Sequence, residues 1–233
     1  MYILFICILT AVYGLVIYLM KYMTNTRILN FIFSMMIFLP YVTCSLIIYS
    51  DVGFYDWNYR NTLPTANVSP FVFSIIPVIM ILPRKLKKYG LTLISLLSVG
   101  MLLSTILGCI FNAIRNYTLH FHFTLDYIAH YSTSLFGIYL IRSDQVDLKR
   151  KNILGAAIII FGWVTLMTIH NAIFDTSFFG LSLNGKHNIY NVVLTENSYI
   201  SAILYFIGLS AVLIIGWVSS KLIKRFSKIK ARH

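Results

Sequence analysis

Asp126 and His130 stand four residues apart, His122 lies four before Asp126, and Thr133 seven after it. At about 100° per helical residue all four fall within roughly 80° of arc, so a helix here would carry one polar face. An imidazole held by a carboxylate makes a general base once a nucleophile or a substrate proton comes within reach. The hydroxyls that could answer to it are Thr65 and Ser69, with Asn67 between them, and His170 and Asn171 add a second polar pair further along the chain. A plainer reading stands beside this one. Asp126 can pair with His130 or His122 one turn away and serve the fold alone, and His120, His122 and His170 can be ordinary contacts to lipid headgroups.

Metal chemistry has a weaker claim. His122, Asp126, His130 and His170 are all possible ligands, and two His with a carboxylate form a catalytic zinc pattern. Neither HExxH nor CxxC occurs, however, so neither a metal nor any other cofactor is expected. A GxSxG elbow, a Walker loop and a GxGxxG are also missing, against familiar serine-hydrolase and nucleotide chemistry. Cys7, Cys44 and Cys109 are odd in number and lie in apolar runs, which points to buried side chains rather than disulfides.

The elements that hold these groups are membrane helices. Of 233 residues 58% are apolar and 11% charged, and the mean hydropathy is +0.79, where a soluble domain carries about 25% charge. Apolar runs recur at 2–20, 28–49, 63–82, 91–111, 122–141, 153–173 and 198–219, each close to the ~20 residues a helix needs to cross roughly 30 Å of hydrocarbon. The expected fold is all-α: a polytopic membrane protein with seven transmembrane helices in one domain, 1–220, followed by a basic tail, 221–233.

Alternate connections hold sixteen Lys and Arg against three. The positive-inside rule then places the N-terminus outside and the C-terminus in the cytoplasm. The net charge of +12 is accordingly topological: it meets anionic headgroups, and membrane lipids rather than nucleic acid are the expected partners. Residues 2–20 lack a basic start and an A-x-A site, and read as a retained helix rather than a signal peptide. Abundant Ile, Phe, Asn, Tyr and Lys suggest an AT-rich bacterial gene, hence the bacterial cytoplasmic membrane as its home.

Helix five starts outside in this topology, so Asp126 and His130 descend about 6 and 12 Å below His122 at 1.5 Å per residue. Helix six carries His170 and Asn171 near its outer end, and helix three begins with Pro64, Thr65, Asn67, Ser69 and Pro70, a polar, proline-broken start. The expectation is a polar pocket in the outer leaflet, bounded by helices three, five and six and roofed by the loop with His187, Asn188 and Asn191.

Leu63-Pro64-Thr65-Ala66-Asn67-Val68-Ser69, the aromatic-rich start of helix five with its inward His130, and Asn171 followed by Asn184-Gly185 and Asn188-Ile189-Tyr190 together resemble the YwaF-type integral membrane proteins of bacteria. These are similar to the eukaryotic transmembrane protein 164 acyltransferases. The resemblance implies seven helices and chemistry on lipid acyl chains, acyl transfer or ester hydrolysis, with His130 as base and Asp126 orienting it. Thr65 or Ser69 would be the nucleophile, and Asn67, His122, His170 and Asn171 would contact substrate. One departure matters: Val68 stands where the acyltransferases have a Cys, so a hydroxyl must replace the thiolate. A non-enzymatic binder, sensor or proton-coupled transporter would use the same stripe without any nucleophile, and an accessory subunit would need it only for folding.

Overall fold

The computed structural model describes residues 2–20, 25–52, 67–114, 121–174 and 198–230. Within them the chain is all helical, in seven helices: α1 (Tyr2–Met20), α2 (Thr26–Val52), α3 (Val68–Ile81), α4 (Arg84–Ile114), α5 (Phe121–Arg142), α6 (Arg150–Phe174) and α7 (Ser198–Lys230). Four stretches are long and apolar enough to cross a membrane, namely Thr26–Asp51, Arg84–Leu107, Arg150–Ile173 and Ala202–Phe226. This is a helical membrane protein.

Local signals explain the helix ends. Asn25 opens α2, its Oδ1 accepting from the backbone N–H groups of Arg27 and Ile28. Asn67 opens α3 in the same way, accepting from Val68 N at 2.8 Å. Pro70 falls in the first turn of α3, where its missing N–H would be unpaired anyway, so it does not break the helix as the sequence suggested. Pro83 lies between α3 and α4, and its carbonyl accepts from Leu86 and Lys87 in the first turn of α4. The α5 terminus is a Schellman motif: Gln145 N–H reaches Leu140 C=O, Asp144 N–H reaches Ile141 C=O, and Asp144 takes the left-handed conformation with φ 54°.

The core centres on α4, which packs on α5, α7, α6, α1 and α3. Leu93, Ile94, Leu96 and Leu97, which spread over nearly half of the circumference within little more than one turn, are all buried to 2% exposure or less, which a helix achieves only when packed on several sides. Two glycines permit this closeness. A Cβ on Gly216 of α7 would lie 1.7 Å from Leu96 O, and one on Gly137 of α5 would lie 2.4 Å from Ser98 Cβ.

Helices successive in the chain alternate in direction. Phe33 of α2 stacks on Phe136 and Tyr139 of α5 while Tyr41 lies against Phe73 of α3, and Asn30 exchanges amide hydrogen bonds with Gln145. Lys224 near the end of α7 pairs with Asp144 at 2.7 Å. The start of α2, the α3–α4 and α5–α6 connections and the end of α7 therefore gather at one end of the bundle, the end that carries Arg84, Lys85, Arg142, Lys149, Arg150, Lys151, Lys221 and Arg225.

Two elements differ in length from the apolar runs. Lys, Leu, Ile and Arg beyond 220 are good helix formers, and α7 runs unbroken to Lys230. Helix three is described from Val68, giving 14 residues, with 63–66 outside the described residues.

Candidate functional site

The middle of α5 is buried all round. Tyr127, Ala129 and every residue from His130 to Gly137 are shielded from solvent, although His130, Ser132, Thr133 and Ser134 are polar. Local bonds make this tolerable: Thr133 Oγ1 donates to Ala129 C=O at 2.8 Å and Ser134 Oγ to His130 C=O at 3.0 Å. Toward α1, Ser132 Oγ hydrogen-bonds Tyr13 Oη, and Tyr131 Oη lies 3.1 Å from Thr10 Oγ1. Two α5 faces are thus polar, one toward α1 and one, with His130, toward α2 and α3.

His130 is 8% exposed. Its Nδ1 lies 2.9 Å from the Asp126 backbone carbonyl and 3.5 Å from Asp126 Oδ1. A carbonyl only accepts, so Nδ1 carries a proton, and in the neutral ring the lone pair belongs to Nε2. Among the described residues Nε2 has no hydrogen-bond partner. The Phe73 ring meets the imidazole edge-on, centroids 4.9 Å apart, and with the helix turn fixes the ring plane. Asp126 sits higher, with its side chain 41% exposed.

The other expected residues are dispersed. Ser69 Oγ donates to Met101 Sδ at 3.5 Å, toward α4 rather than toward His130. Asn67 is occupied as the α3 cap. Asn171 is buried and His170 half-buried on α6. Thr65 and the loop with His187, Asn188 and Asn191 lie outside the described residues, as does the side chain of His122. Among the described residues no three His, Cys, Asp or Glu come close enough together to hold a metal ion.

Among the described residues, aromatic side chains join the helices expected to bound the pocket: Phe73 of α3 meets His130 of α5, and Phe71 stacks on Trp163 of α6 at 5.1 Å. A cavity of about 300 Å³ opens where α3, α4 and α7 meet, lined by Val68, Ser69, Gly100, Met101, Gly208 and Val212 among others. The two glycines leave this room, and Ser69 and Tyr205 are the hydroxyl-bearing residues of a largely apolar wall.

One nearby residue had no signal in the sequence. Cys44 of α2 is buried at 5% and near enough to Asp126 to feel its charge. Antiparallel packing of α2 on α5 brings them together, and 82 residues of separation hide it.

A family described as a protein of unknown function (DUF2759) matches residues 133–177. That stretch covers the buried half of α5, the Schellman turn and α6. No curated protein and no solved structure matches the chain.

Proposed function

We propose that the chain is a seven-span protein of the bacterial cytoplasmic membrane, N-terminus outside, that acts on lipid acyl esters with His130 as general base. The observation carrying this reading is the ring geometry: Nδ1–H is held on Asp126 C=O, so that in the neutral ring Nε2 is the nitrogen able to take a proton. The clustering of helix connections with Lys and Arg at one end supports the topology. The likeness to YwaF-type proteins supports the lipid substrate.

In the proposed step a hydroxyl attacks the ester carbonyl and passes its proton to Nε2. The carbon–oxygen bond to the glycerol side then breaks, and the imidazolium returns the proton to the departing alkoxide, leaving an acyl-enzyme for water or a second alcohol to resolve. Ser69 lines the apolar cavity in which a chain could lie, and stands one turn before Phe73, the ring against His130. Thr65, one further turn back in sequence, is the other hydroxyl. The test compares membrane lipid profiles of cells with wild-type protein, His130→Ala at matched abundance, and empty vector. A change in acyl composition seen only with wild type is expected, and the same change with His130→Ala would end the proposal.

A second reading is favoured by the Ser69–Met101 contact, which leaves His130 without a hydroxyl partner among the described residues. The stripe would then bind a polar ligand or relay protons. Full function in a Thr65→Ala, Ser69→Ala double variant, with loss in His130→Ala, would select it.

A further inference from the structure

We propose that the last turns of α7 form a docking edge for an anionic phospholipid headgroup, with Lys221 and Arg225 holding its phosphate. The inference rests on membrane embedding alone and is independent of any chemistry at His130.

The faces of α7 separate cleanly near its end. Ser220 is fully buried, and Lys224 is turned toward the bundle by Asp144 at 2.7 Å and by Val146 C=O at 3.4 Å. On the opposite side Val218, Leu222 and Phe226, spaced four apart, are 46%, 49% and 66% exposed. At about 100° per residue Lys221 and Arg225 lie between these two faces, one turn from each other. A cationic edge therefore borders a surface made for acyl chains.

Length places this edge at the membrane boundary. The exposed apolar ladder starts at Ile200 and continues through Ile203, Ile207 and Ile214 to Phe226. Twenty-six residue steps at 1.5 Å make about 39 Å, against roughly 30 Å of hydrocarbon. Lys221 is the first charge of α7, so its last apolar rungs, Leu222 and Phe226, interleave with cations and belong in the headgroup layer.

The charge calls for an anion. At this end of the described structure Asp144 and Asp147 are taken by Lys224 and Lys149. Arg225 has no ion pair among the described residues, and Lys221 lies over the Trp217 ring at 3.8 Å, a contact that holds the ammonium in place without neutralising it. A zwitterionic headgroup would bring its own ammonium to this edge, whereas a phosphatidylglycerol-type headgroup brings one uncompensated negative charge.

The full chain would be placed in nanodiscs of equal phosphatidylglycerol and phosphatidylcholine, and the lipid retained on the protein counted by native mass spectrometry. Wild type should enrich phosphatidylglycerol, and Lys221→Gln with Arg225→Gln should lower the enrichment by about fivefold per cation removed. Lys85→Gln with Lys151→Gln, the same loss of charge at the same end, should leave it in place, and Lys221→Arg with Arg225→Lys should retain it. A folded wild-type protein with no preference overturns the proposal without recourse to any variant, and would leave the edge to an acidic soluble partner. Equal losses in the two Gln pairs also overturn it, because the effect would then belong to diffuse charge.

Discussion

His130 and Asp126 divide the work unequally, and this can be tested. The stronger bond to Nδ1 comes from the Asp126 main chain at 2.9 Å, with the carboxylate at 3.5 Å. Asp126→Asn keeps the carbonyl and hence the ring tautomer, so lipid turnover should fall by no more than about tenfold, whereas His130→Asn removes the base and should cost about 10²–10⁴-fold. A comparison of turnover in proteoliposomes checks both, and a larger loss in Asp126→Asn than in His130→Asn would contradict the assignment. Asp144 makes a different argument. Its φ of 54° suits glycine, yet its carboxylate binds Lys224 with 67% of the Asp side chain exposed. Exposed pairs contribute about 0–1 kcal/mol, similar to what glycine would recover in backbone strain. Asp144→Gly should therefore melt within a few degrees of wild type, and Asp144→Val, which loses the pair and keeps the strain, should melt lower. The helix-five stripe was legible from its four-residue spacing. The tautomer was not, because it depends on which ring nitrogen faces the Asp126 oxygens, and Cys44 was not, because only helix pairing brings it to the site.

Close approach of helices is the dominant demand at the level of elements. A methyl at Gly216 has no room, since the atom it meets is a backbone oxygen on Leu96 that cannot turn aside. Gly216→Ala should destabilise the bundle by about 1–3 kcal/mol or more, read as a lower melting temperature in detergent, while Gly162→Ala, with nothing within 4 Å of its added Cβ, should leave it unchanged. A similar change in both would mean that the close approach at Gly216 does not decide. The reciprocal amide bonds of Asn30 and Gln145, at 2.8 and 3.3 Å, form a second restraint. Asn30→Ala leaves the Gln145 amide short of partners and should cost about 1–3 kcal/mol. Apolar run length located the helices well: 2–20 and 122–141 agree with α1 and α5 to within a residue at each end. It erred where charged residues are also good helix formers, so α4 begins at Arg84 rather than 91 and α7 continues to Lys230. It also could not foresee the α3–α5 contact. Phe73 reads as one more lipid-facing aromatic until its ring is found against His130.

At the scale of the whole molecule, charge and polarity sort to opposite ends. Four helices satisfy length and apolarity together; α5 is long enough, but its Asp, His, Ser and Thr lower its hydropathy, and it is buried among α2, α4 and α1 rather than facing lipid. Composition alone would drop α5 from a list of spans, whereas the proposed topology has it cross, since Phe121 starts away from the basic end and Gln145 finishes at Asn30. This makes topology testable at single positions. With Cys7, Cys44 and Cys109 replaced by Ala, a cysteine at Phe121, 66% exposed, should react with a membrane-impermeant maleimide applied to intact cells, and a cysteine at Lys151 should react only after the cells are opened. The reverse pattern would invert the bundle and move the polar half of α5 to the cytoplasmic leaflet. Labelling of both in intact cells would mean that α5 does not cross at all, and the His130 base would then lack the water-poor surroundings on which the proposed chemistry depends.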